Sequence, residues 1–129
     1  MKFAQRVFSA AGIYGVLILA PQYFMESQVG VQDPPAITHP EFYYGFTGCA
    51  LAWQIAFLVI GRDPVRYRPL MLCGVMEKWT FGIATWVLFA QGRLSTMTTV
   101  FGTIDFVLGC LFIAAWKATP VRAFADQRP

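Results

Sequence analysis

An all-α membrane protein, with four transmembrane helices in an up-down bundle and both termini cytoplasmic, is what this sequence predicts. Three observations carry the expectation. Hydrophobic residues fill 57% of the 129 positions and charged residues only 13%, where soluble domains carry about a quarter charged. Residues 7–25, 42–60, 70–90 and 97–116 are each apolar over the length of about 20 helical residues that a bilayer core demands. Lysine and arginine also collect at alternate ends of these spans, as they do on the cytoplasmic side of membranes. The bundle then occupies residues 1–116, and 117–129 reads as a cytoplasmic tail.

Lys2 and Arg6 precede the first span. They also resemble the basic start of a cleavable signal peptide, but the best cleavage point, after Ala20, is followed directly by Pro21. The segment is therefore read as a retained span. Residues 26–40 form the one sizeable connection outside the membrane, and Asp33-Pro34-Pro35 forces extended or turn backbone within it. Thr38-x-x-Glu41 before the second span has the spacing of a capping box, with Pro40 in the first turn. His39 and Glu41, near Asp33 and Glu26, invite a metal-site reading, but a lone histidine is too solitary for zinc and no metal site is expected.

Gly61-Arg62-Asp63-Pro64 starts a turn, and Pro69 suits the first turn of the third helix. Arg62, Arg66 and Arg68 mark this turn as cytoplasmic, as Lys117, Arg122 and Arg128 mark the end of span four; only Arg93, in the 91–96 turn, lies opposite. Thr119-Pro120 stops the fourth helix. The net charge of +3 suits anionic lipid headgroups and gives no reason to expect nucleic acid.

Helices in lipid approach through small residues. Gly48, Ala52 and Ala56 share a face of span two, Gly74 and Gly82 one of span three, and Gly102 and Gly109 one of span four. Cys49, Cys73 and Cys110 lie within spans, lack metal-ligand spacing and are expected to be packing residues. Tyr23, Phe42, Tyr43 and Tyr44 at one edge and Trp116 at the other fit aromatic belts, while Trp53, Trp79 and Trp86 read as core or lipid-facing residues.

Five polar residues from the four spans fall in one slab of the inner half of the membrane. Counting about 1.5 Å per residue from the cytoplasmic end places Gln54, Tyr14, Glu77 and Lys78 about 9 to 12 Å deep and Asp105 about 18 Å deep. Asp105 shares the Gly102–Gly109 face, and Lys78 lies four residues from both Gly74 and Gly82, so these two are expected to pair. Glu77, rotated by about 100° from Lys78, points elsewhere, either hydrogen-bonded to Gln54 or Tyr14 or protonated. A charge at mid-helix costs about 2.5–3.5 kcal/mol to insert. The group therefore has to be internally paired, serving either as a clamp that fixes helix register or as a site for a ligand, proton or substrate.

Phe24-Met25-Glu26, leaving span one, and Cys49-Ala50-Leu51-Ala52-Trp53-Gln54, in span two, together with the four-span plan, resemble the EXPERA membrane proteins, the emopamil-binding and sigma-2-like group. The chain is also similar to small bacterial four-helix membrane proteins. The EXPERA resemblance implies sterol-like or cationic amphiphilic ligands. It transfers no catalytic residue: the group's second-span carboxylate would fall at Ala50 and its helix-kinking proline at Ala56.

No nucleophile–base pair, phosphate-binding glycine loop or HExxH-type motif occurs, so neither catalytic residues nor a cofactor are expected. The expectation is a non-enzymatic inner-membrane protein whose polar group, Tyr14, Gln54, Glu77, Lys78 and Asp105, binds an apolar or amphiphilic ligand or docks in a larger membrane complex. Its partners would be membrane lipids, such a small molecule, another membrane protein or further copies of itself. The alternatives are an enzyme using Glu77 or Asp105 as acid or base on a lipid, and an oligomeric proton-coupled transporter.

Overall fold

Pro21 decides where the first helix changes character. In the computed structural model, which describes residues 2–122, α1 (Lys2–Leu19) is regular, and the chain then tightens into a 3-10 turn over Ala20–Phe24 with Pro21 near its start. A proline offers no N–H to the α ladder and crowds the carbonyl four residues back, which favours the tighter winding. Part of the expected connection is itself helical: α2 (Glu26–Gln32) has Glu26 in its first turn, where exposed N–H groups favour a carboxylate. Of the expected tail, positions 123–129, with Arg128, lie outside the described residues.

Three helices of 23 residues follow: α3 (Pro40–Arg62), α4 (Arg68–Ala90) and α5 (Thr96–Ala118). The capping box at Thr38 does not form. Pro40 begins the helix one residue later than that motif requires, so His39 becomes the cap without a side-chain bond, and Glu41 approaches His39 instead, with Oε1 to Nδ1 at 3.4 Å. Gly92, at φ +69°, ends α4: its N–H reaches Phe89 O and that of Arg93 reaches Leu88 O, which satisfies carbonyls of the last turn. Ser95 caps α5 by accepting from Thr98 N, and Arg68 closes the far end of α5, donating from Nε to Thr119 O at 2.8 Å and to Trp116 O at 3.2 Å.

The chain is all-helical, with no strand among the described residues. α1 with its 3-10 extension, α3 and α5 are each long and apolar enough to cross a membrane, whereas Glu77 and Lys78 lower the average for α4. The outward side chains are apolar: Ile13 and Leu17 on α1, Ile55 and Val59 on α3, Met76 and Ile83 on α4, and Val107 and Leu111 on α5 are all exposed. Buried threonine, glutamine and lysine side chains lie inside. An apolar exterior around a partly polar interior reverses the distribution of a water-soluble domain.

Packing is uneven. α1 lies antiparallel along α3, and α4 antiparallel along α5, each closely, while contacts between the two pairs are sparse. The pairs are locked together at one end, where Phe8 stacks on Phe112 at 4.1 Å and Phe57 meets both rings, with Ile60, Met71, Ala4 and Ala115 around them. At the other end they diverge.

The close approach of α4 and α5 uses the glycines expected of it, Gly74, Gly82, Gly102 and Gly109, all of them buried. For α3 the expected face is wrong. Its buried stripe is Thr47, Ala50, Gln54, Phe57 and Gly61, while Ala52 is exposed and Gly48 and Ala56 are half-buried. The small residues that admit α3 sit mainly on α1, at Gly12 and Gly15, facing Leu58 and Gln54. The three cysteines are free and exposed rather than packed, because each lies beside its helix's buried stripe and not on it.

A Cβ at Gly82 would lie 2.8 Å from Gly102 O, a backbone atom that cannot move aside. Gly82→Ala should therefore cost about 1–3 kcal/mol and lower the thermal midpoint in detergent. Gly45→Ala, where a Cβ meets nothing within 4 Å, should leave it unchanged or slightly higher. Equal midpoints for the two variants would contradict this packing.

Candidate functional site

The divergence of the two helix pairs creates a cavity of about 1090 Å³, lined by α1, α3, α4 and α5 and bordered at its far end by α2. Its walls are largely apolar, including Ile18, Phe46, Trp53, Phe81 and Phe101. All five residues singled out from the sequence, Tyr14, Gln54, Glu77, Lys78 and Asp105, line it. They lie towards its closed end, next to the aromatic lock, and form a polar floor.

Lys78 is the centre of that floor. It sits on the buried face of α4 between Gly74 and Gly82 and is 3% exposed. Its Nζ donates to Asp105 Oδ1 at 3.1 Å, lies 3.6 Å from Glu77 Oε2, and stands 5.5 Å from the Phe57 ring centroid. The expected Lys78–Asp105 pair is formed, and the aromatic face adds a second favourable contact for the cation.

Glu77 differs from expectation. Its side chain does not point away from Lys78: it turns into the same cavity and completes a carboxylate–ammonium–carboxylate row. One residue of helical rotation can be absorbed by a long, flexible side chain, as the 3.6 Å approach shows. Nor is Glu77 bonded to Gln54. The Gln54 amide donates from Nε2 to Ala50 O, 2.9 Å away on its own helix.

The row is rich in acceptors. Gln54 Oε1 is buried and accepts no hydrogen bond from any described residue, whereas Glu77 Oε2, equally buried, is held by the Lys78 ammonium at 3.6 Å as an ion pair. Gln54 is fully buried, held where α1 has only Gly15 to offer, so this amide has little freedom to move. An unmatched buried acceptor costs about 1–3 kcal/mol. The carboxylates of Glu77 and Asp105 keep some exposed surface on the cavity floor, where a partner molecule can bring donors to them.

At the opposite end α2 forms a roof. Tyr44 donates to Glu26 Oε2 at 2.8 Å, and Tyr43 donates to Gln22 O at 2.7 Å, tying the beginning of the roof to α3. Asp33 Oδ2 accepts from the hydroxyls of Ser95 and Thr98 at 3.3 and 3.2 Å, tying its end to α5. The roof thus joins the two helix pairs where their own packing fails. From the sequence this segment is a lid or a plain connector and Asp33 a turn former, with no sign of these ties; Ser95-x-x-Thr98 ahead of an apolar run is a cap signal that could have pointed to them.

Fold and site together define an all-helical protein with helices fit to cross a membrane and a polar-floored internal cavity. No family model matches the chain, and neither the curated proteins nor the solved structures contain a match to it.

Removing the ammonium leaves two carboxylates facing each other in an apolar interior. Lys78→Met should lower stability by about 3–5 kcal/mol, the range for breaking one side of a buried pair. Adding Asp105→Asn and Glu77→Gln should restore much of that loss, as thermal unfolding in detergent would show. Simple additivity of the three substitutions would mean the row is not coupled.

Proposed function

We propose that this chain is a four-span protein of the bacterial inner membrane that binds one amphiphilic molecule in its cavity and does no chemistry on it. The observation that carries the reading is the pairing of a largely apolar cavity with a polar floor on which the Glu77 and Asp105 carboxylates remain partly exposed. Its volume lies at the upper end of the range for small-molecule sites, about 300–1,000 Å³, which suits a long-chain molecule. The polar end of that molecule is a hydrogen-bond donor, a hydroxyl or an amine, placed against the Glu77 and Asp105 carboxylates. An anionic head would face Glu77 and Asp105 with one ammonium between them.

Several features support membrane placement of all four long helices. Glu77 and Lys78 turn inward, and α4 presents Leu72, Met76, Ile83, Trp86 and Val87 outward, so its exposed face is as apolar as those of its neighbours. The end bearing the aromatic lock also carries Lys2, Arg6, Arg62, Arg66, Arg68 and Lys117, and the roof end carries Arg93, which favours a cytoplasmic lock and an outward-facing roof. The resemblance to the EXPERA group fits the same location. Ala50, where that group has its carboxylate, lines the cavity, and acidic groups reach it from α4 and α5 instead.

A diazirine-bearing hexadecanol photolysed with the protein in lipid nanodiscs tests this directly. Adducts should map to cavity peptides, unlabelled hexadecanol or hexadecylamine should compete at least about tenfold better than palmitate, and Glu77→Leu should weaken labelling about three- to tenfold, one hydrogen bond's worth. Labelling confined to the outer helix faces, or equal competition by palmitate, would refute the reading.

A further inference from the structure

Two routes lead to the floor: through the roof from water, or sideways from the bilayer. Given that the cavity binds an amphiphile, we infer that this molecule is a resident membrane lipid that enters and leaves laterally through the seam between α3 and α4.

Of the two lateral boundaries of the cavity, the seam is the looser. α3 and α4 belong to different helix pairs and touch each other less than α1 and α5 do. Across the gap the rings of Phe46 and Phe81 face each other with centroids 5.8 Å apart and no polar bond between them. Phe46 is 54% exposed, and Cys49 and Thr80 both line the cavity and are exposed, which places them at its open edge. Exposed residues on such an edge mark a passage. The Thr80 hydroxyl donates to Met76 O at 2.8 Å, so the seam presents methyl, thiol and ring surface rather than a free donor.

The roof has the opposite character. It is fixed at both ends by side-chain bonds to carboxylates, Tyr44 to Glu26 and Ser95 with Thr98 to Asp33. Parting two phenyl rings in an apolar solvent exposes no polar atom, because lipid tails replace the lost contact at nearly equal strength. Opening the seam is therefore the easier motion. Passage through it also selects the head: a neutral hydroxyl crosses an apolar slot at far lower cost than an ionised group. Glu77 lies on α4 one helical turn from Phe81, so a donor passing the ring pair meets a partly exposed carboxylate next.

The test uses the full chain in nanodiscs with Cys49, Cys73 and Cys110 replaced by alanine. Phe46→Cys with Phe81→Cys, bridged by a short reducible bismaleimide, closes the seam; Glu26→Cys with Tyr44→Cys, bridged likewise, fixes the roof. Diazirine-bearing hexadecanol is added, and cavity adducts are followed over time. The seam bridge should slow labelling of residues 47–54 at least tenfold, cleavage of the bridge should restore the rate, and the roof bridge should leave it unchanged. Labelling that is fast with the seam bridged overturns lateral entry here, whether the roof bridge slows it or not, while leaving the binding reading intact. Absence of cavity adducts in the unbridged protein would defeat the binding reading itself.

Discussion

A lysine ammonium buried among apolar helices cannot be left alone, and Lys78 governs much of what surrounds it. Gly74 and Gly82 leave the α4 surface low enough for Lys78 to lie inward, and Gly102 and Gly109 bring α5 close enough for Asp105 to reach it. The same pairing holds Glu77 inward, which leaves the exposed face of α4 free of charge. Without Lys78 the two acidic groups would have no common counter-ion, and α4 would lose its reason to sit with a charged pair facing the centre.

Around that row the molecule divides its work between its two ends. Phe8, Phe57 and Phe112 close one end by stacking and edge contact, a dry lock that joins the helix pairs. Larger divergence is possible at the other end because the pairs are stable within themselves: Gly12 and Gly15 admit Leu58 and Gln54 on one side, and Gly82 admits Gly102 on the other. Polar bonds through α2 then limit how far they part. A cavity between two rigid pairs, hinged at a lock, can change volume without breaking a helix.

Much of this was legible in the chain. The helix lengths, the Lys78–Asp105 pair and the convergence of five polar residues follow from hydrophobic runs, glycine spacing and a count of depth. What could not be read were features set by the neighbouring helix. α3 buries the stripe through Gln54 and not its own small residues, because α1 supplies the glycines. Glu77 joins Lys78 because a flexible side chain overrides one step of rotation. The cysteines face outward for the same reason that the α3 stripe was misplaced: an all-apolar helix gives composition little power to tell its core side from its lipid side. α2 and its ties to Tyr44, Ser95 and Thr98 join segments far apart in sequence through single polar atoms, and the Ser95-x-x-Thr98 cap signal is a slight local hint of them.

The most direct test of the central claim is native mass spectrometry of the protein released from its own membrane in mild detergent. The cavity and its acceptor-rich floor predict one retained amphiphile per chain, with a hydroxyl or amine head and a long apolar tail. A bare chain, a chain carrying only acidic lipid, or a chain that retains another protein and no small molecule would contradict the account.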